Sequence, residues 1–267
     1  MVKGESEMAD RKTVILDAGH GGADPGAVYM GRKEKDDALA LTLAVGNKLQ
    51  QDGIRVLYTR VNDVYHTPLE KAEIANRSGA DYFVSIHRNA MPVPGSASGA
   101  QVLVYEDAGV PAMMAENIGR RLTEAGFQDL GIQERPGLIV LRRTQMPAAL
   151  VEAGFIDNEK DNEFFDENFD KIAQAIADGI EDTIQAQENA KPEYYQVQVG
   201  AYRQRGPAEQ LTQELQARGL PAFLVFDDGY YKVRVGAFLN MDNGVNMERI
   251  LRSMGYPTIL VKERAVT

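Results

Sequence analysis

The nine residues Tyr194–Tyr202 (YYQVQVGAY) return as Tyr230–Phe238 (YYKVRVGAF), 36 residues further along the chain. Each copy alternates like a strand, runs into a helical stretch (about 208–218 and 244–254) and closes on a second strand (222–226 and 258–261). Two such β-α-β units cannot make a solenoid, because neither half could bury its apolar face alone. They have to pack together, which predicts a small α+β sandwich of order βαββαβ over residues 194–264. Strand alternation also sorts the side chains. Tyr195, Val197 and Val199 share a face, as do Tyr231, Val233 and Val235, and these faces should meet the two helices. The opposite faces carry Tyr194, Gln196 and Gln198, with Tyr230, Lys232 and Arg234. An open face of aromatics, amides and cations suits sugar rings and their hydroxyls. A plain solvated face fits the pattern equally well.

Upstream, strands alternate with helices. The expected strands are 13–18, 54–59, 82–87, 100–105 and 148–152. The expected helices are 34–52, Pro68 to about Ser78, 111–126 and 168–188. That order predicts an α/β domain over 12–188 with a mostly parallel twisted sheet flanked by helices. The pattern lapses at residues 189–193, read as a linker. Charge changes there too: residues 192–267 hold 9 basic and 8 acidic residues, for +1, whereas the rest carries −11. A polyanionic partner is not indicated, and a β-α-β module without a basic stripe makes a poor nucleic-acid binder.

The chain has no cysteine, which rules out disulfides, thiol nucleophiles and Cys-ligated zinc; a metal would need His, Asp, Glu or water. Of three histidines, His20 follows the first strand in a glycine-rich loop and His87 ends the strand 82–87, both at strand C-terminal ends where α/β sheets bind ligands. Two together favour a metal site. Glu34 opens a helix, where it could be a third ligand or merely complement the helix dipole. Glu152 follows Leu150-Val151. With a buried flank and an exposed tip it could act as a general base, or it could simply face solvent. His66, in a loop, is read as exposed and uninvolved.

Four blocks resemble the zinc amidase_3 type of N-acetylmuramoyl-L-alanine amidase over about residues 12–186. They are Leu16–Gly22 (LDAGHGG), Glu34-Lys35-Asp36, Ser85–Ala90 (SIHRNA) and Pro147–Phe155 (PAALVEAGF). The resemblance implies one Zn2+ per chain held by His20, Glu34 and His87. It also implies Glu152 as the acid/base that takes a proton from water and returns it to the departing L-alanine amine. Asn89, in the third block, is assigned to substrate binding. Lys71, where relatives often carry Arg, and Arg88, at a variable position, should stay off the ligands and at most alter contacts with the peptide stem. The His87–Glu152 interval is short, so no inserted helix should block the site.

The repeat is similar to the sporulation-related-repeat (SPOR) domain, ferredoxin-like in fold, over about 192–263. That likeness implies binding to glycan strands stripped of peptides, with Gln198 and Tyr230 on the binding face. Together the parts imply an enzyme that hydrolyses the bond between N-acetylmuramic acid and L-alanine in peptidoglycan. Its partners would be the stem peptide and denuded glycan, with no nucleic acid and no membrane, and the chain a monomer acting at the cell wall. Lysis of a sporulating mother cell would fit. The polar N-terminus has no signal-like apolar run, which reads as a leaderless or mature form. A peptide-cleaving zinc hydrolase and a non-catalytic wall-binding protein are the competing readings.

Overall fold

The computed structural model describes residues 12–190 and 192–264. The N-terminal stretch read for a leader and Lys191 in the linker lie outside these residues. The chain divides into two units at 186/187.

The first unit runs β1 (Thr13–Ala18), β2 (Val28–Tyr29), β3 (Arg32–Lys33), α1 (Glu34–Gln51), β4 (Arg55–Tyr58), α2 (Pro68–Ser78), β5 (Tyr82–Asn89) and β6 (Ala100–Val104). It continues through α3 (Gly109–Ala125), β7 (Asp129–Glu134), α4 (Ile139–Arg142), β8 (Ala148–Phe155), α5 (Glu159–Glu167) and α6 (Phe169–Ala190). Six strands form a sheet in the order β4-β1-β5-β8-β6-β7. The first four lie parallel, and β6 turns antiparallel against β8 with β7 parallel to it. The sheet is mostly parallel, as expected.

All six residues of β1 are buried, because both sheet faces are covered. Val14 and Leu16 pack under α1, α3 and α6, through residues such as Leu41, Ile118 and Ile176. Ile15 points the other way, joining Phe83, Leu103 and Leu150 against Ala75 of α2 and Leu141 of α4. This second face is covered by α2 and the four-residue α4.

Five elements were not read from the sequence: the small β2–β3 hairpin, β7, α4 and α5. Each is short or lacks a clear period, β7 being half exposed. The last helix reaches Ala190 and the next strand starts at Glu193, so only residues 191 and 192 lie between them.

The second unit comprises β9 (Glu193–Tyr202), α7 (Arg205–Ala217), β10 (Ala222–Asp227), β11 (Tyr230–Phe238), α8 (Met241–Ser253) and β12 (Ile259–Arg264). Its antiparallel sheet has the order β10-β11-β9-β12, the ferredoxin-like arrangement. Val197, Val199, Val233 and Val235 meet Leu215 and Leu251 of the helices, as alternation required. Alternation is not strict to the strand ends: bulges interrupt β9–β11 pairing near Val199 and after Val235. The repeated glycine has a cause in packing. A side chain at Gly200 or Gly236 would collide with the ring of Tyr202 or Phe238, two residues on.

Candidate metal centre and catalytic cleft

The loop after β1 carries His20 in a left-handed conformation, φ 57°, a strained choice for a residue with a side chain. A buried guanidinium fixes it. Arg60 donates to the carbonyls of Ala18 (3.1 Å) and Gly19 (2.7 Å), and also to Lys35 in the first turn of α1 (2.9 Å). One side chain thereby ties the segment before His20 to the segment after Glu34. The Glu34 and Lys35 backbone N–H groups, unsatisfied within their own helix, donate to Ala27 and Pro25.

The three side chains converge. Glu34 is 5 % exposed; its Oε2 lies 3.0 Å from His20 Nε2 and its Oε1 2.8 Å from His87 Nδ1. One ligand atom from each of the three falls within 4.8 Å of the others. The imidazoles meet edge to face at 4.9 Å. Burial alone would push the Glu34 carboxyl up, but the hydrogen bonds of His20 and His87 outweigh it and hold it well below the usual carboxylate range. For His20, burial works against the charged ring, yet Glu34 and then Asp24 raise its pKa overall.

Asp24 is a residue the sequence reading missed. Its Oδ2 lies 2.8 Å from His20 Nδ1, while its Oδ1 accepts from Gly26 N–H. A carboxylate on the far nitrogen fixes which nitrogen faces inward. Gly26, at φ 65°, brings backbone so close that a Cβ would sit 2.6 Å from both Glu34 Oε2 and the His20 ring.

Glu152 stands in register with His87 on β5 and with Gln101 on β6, so the three side chains rise side by side. The exposed tip expected for Glu152 is not what the fold provides. The residue is half-buried, but its Oε2 is covered and has no hydrogen-bond partner. Burial pushes this carboxyl up to about 7, helped by the negative Glu34 and opposed by His87. All four residues line one cleft of about 380 Å³, together with Asn89, Gln101, Leu103, Arg135, Leu138 and Leu150.

Three expectations need correction. Arg88 does touch a proposed ligand: its N–H lies 3.3 Å from Glu34 Oε1. Its guanidinium is buried against Asp37, Asn162 and the Phe165 ring, so it braces the site instead of meeting a peptide. Lys71 is buried as well, donating to Ala18 carbonyl and pairing with Asp17, out of a stem peptide's reach. His66 is half-buried and not exposed, though it lies outside the three-residue cluster.

Residues 14–182 match the family described as N-acetylmuramoyl-L-alanine amidase, and residues 191–262 match the SPOR domain. The chain belongs to the N-acetylmuramoyl-L-alanine amidase family. The N-acetylmuramoyl-L-alanine amidase CwlM of Bacillus licheniformis is 32 % identical over 80 % of this chain and 85 % of its own length. A sporulation-specific N-acetylmuramoyl-L-alanine amidase of Bacillus subtilis gives the same identity and coverage. Among solved structures, an N-acetylmuramoyl-L-alanine amidase from Clostridium difficile 630 is 31 % identical with TM-score 0.63, over 67 % of this chain and 99 % of that one. The chain is thus a peptidoglycan amidase with a wall-binding SPOR domain.

The amidase's SPOR sheet turns Tyr194, Gln196, Gln198, Tyr230, Lys232 and Arg234 to the face away from its helices, with Gln198 opposite Arg234. The expected open cations are not open. Arg234 is 3 % exposed, donating to Gln196 Oε1 (3.0 Å) and Glu263 Oε1 (2.8 Å), while Lys232 pairs with Asp227. Arg234 lies on a central strand, where side chains of β9 and β12 close over it. Tyr230 is half-buried, with the Arg203 guanidinium 5.7 Å from its ring centre. Among the described residues no helix is long and apolar enough to cross a membrane.

Proposed function

We propose that this amidase cleaves the bond between N-acetylmuramic acid and L-alanine with one zinc ion held by His20, Glu34 and His87, and with Glu152 as its acid/base. The observation carrying this reading is the covered, unpartnered oxygen of Glu152, beside His87 in the cleft that the other three residues line. Two imidazole nitrogens and a carboxylate oxygen are the donor set of a hydrolytic zinc site, which leaves a position for water. Asp24 supplies the outer hydrogen bond that such a histidine usually has. When bound, zinc would lower the pKa of water and polarise the amide carbonyl.

The chain's own residues do the rest. Glu152, poised near neutrality by burial, takes a proton from the attacking water and delivers it to the departing L-alanine amine. Arg60 and Arg88 hold the segments bearing the ligands. Asn89, at the cleft wall, meets the substrate. The 87–152 interval holds β6, α3, β7 and α4 and leaves the three ligands lining an open cleft, which supports an enzyme that needs no activator. The test is metal analysis joined to product identification on purified walls. One bound zinc and intact stem peptides released from muramic acid support the reading, whereas cleavage inside the peptide points to a peptidase.

The SPOR sheet would bind glycan already stripped of peptides, through Tyr194, Gln196, Gln198 and Tyr230, with Lys232 and Arg234 stiffening the platform. Catalysis then makes the ligand of its own anchor and raises local enzyme concentration. Removing residues 191–267 should lower both wall retention and activity on insoluble walls; unchanged values would sink the feedback. The sporulation-specific relative motivates a role in mother-cell lysis, tested by whether a deletion strain releases its spores late.

A further inference from the structure

The cleft does not end at Glu152. Its lining continues over Gln101 of β6, then along Leu103 and Leu150, which face each other in register, to Leu138 and Arg135 in the turn before α4. The proposed chemistry gives this arm a direction, and the inference rests on that reading. A scissile carbonyl near the three ligands places the departing amine on the Glu152 side, since Glu152 returns the proton to it. The sugar then lies toward His20 and the peptide crosses β8 toward β6. Beyond Glu152 the peptide meets an amide, an apolar floor and a cation in that order. Two basic residues line the cleft, Arg88 and Arg135. Arg88's guanidinium is buried and paired with Asp37. Arg135 is exposed, and the hydrogen bond it makes through Nη1 is to the carbonyl of its neighbour Glu134 at 3.2 Å, not to a carboxylate. In a chain of net charge −10, a cation facing the cleft is the group able to offset repulsion of an anionic peptide.

We infer that Leu103, Leu138, Leu150 and Arg135 form the subsite for the leaving peptide, the leucines taking the L-alanine methyl and Arg135 a free carboxylate on the residue that follows. Arg135 is then a specificity residue acting on substrate charge, separate from the catalytic set. Gln101, level with Glu152, would meet the peptide at the L-alanine nitrogen, ahead of the leucines.

The test compares two synthetic glycan-linked peptides that differ only at the second residue, one with a free α-carboxylate and one with its carboxamide. The full-length zinc-loaded enzyme should favour the carboxylate by about tenfold in kcat/KM, through KM, as a charge-assisted hydrogen bond requires. Arg135→Gln should erase that preference by bringing kcat/KM on the carboxylate substrate down to that on the carboxamide, and Arg135→Lys should restore part of it. Equal rates on both substrates for wild type, or an Arg135→Gln variant slowed alike on both, would overturn the inference while leaving the amidase reading intact. Failure of the wild type to free a peptide from either substrate would instead overturn the amidase reading, and this inference with it.

Discussion

The catalytic cleft and the outer face of the SPOR sheet both gather polar side chains on a strand surface, and they treat charge in opposite ways. In the cleft, Glu152 is pressed under cover with one oxygen unpartnered. On the SPOR face both cations are ion-paired, Lys232 against Asp227 and Arg234 against Glu263, with Arg234 Nε left without a hydrogen-bond partner. A reacting site keeps a group away from its preferred charge state, which costs stability. A recognition platform has no such need, and what it offers a ligand is aromatic and amide surface held in place.

The largest effect that could break this comparison is on turnover. Glu152→Gln should slow peptide release by about 10²–10⁴-fold while the metal content, read by elemental analysis, stays as in wild type. A modest loss would mean that the covered acid is not the proton carrier. Gly26→Ala should come next. It places a methyl against Glu34 and His20 at a positive φ, so zinc affinity measured by chelator competition should fall by about tenfold or more.

A third test concerns the cost of Glu152 itself. Its carboxyl is raised by burial from 4.5 to about 7, so between those values the folded state holds more protons than the unfolded one and stability falls as pH rises. In metal-stripped protein Glu152→Gln should therefore be neutral near pH 4.5 and stabilising by roughly 1–3 kcal/mol at pH 8 in denaturant titrations. On the SPOR face the sign should reverse. Arg234→Met leaves Gln196 and Glu263 without their partner, and should destabilise that unit by about 1–3 kcal/mol at neutral pH. The smallest effect sharpens the contrast. Tyr230→Ala should weaken binding to denuded glycan by roughly 3–10-fold, seen in wall pull-downs, with little change in melting.

Much of this was legible beforehand, for identifiable reasons. The β1 run, α1 and the four valines of β9 and β11 follow hydrophobic period directly. His20 and His87 were legible as strand-end residues, and the four sequence blocks pointed to Glu34 and Glu152. Asp24, Arg60, Gln101 and Arg135 were not legible. Asp24 lies only four residues past His20, and that spacing was the one local clue available. Arg60, Gln101 and Arg135 act across neighbouring strands and loops, where spacing in the chain carries no information. The contacts of Arg88 and Lys71 were missed for the same reason: their acid partners, Asp37 and Asp17, sit on other elements.

The sequence by itself determined the main strands and helices, the ferredoxin-like repeat and the family, because local period and contiguous motifs are written along the chain. Only the tertiary structure decided which charges are paired and which are left bare. That depends on strand register, which sets Glu152 between His87 and Gln101 with an oxygen unmatched and closes Gln196 and Glu263 over Arg234. Burial and pairing together fix a group's charge state, and both are properties of neighbours brought from far along the chain.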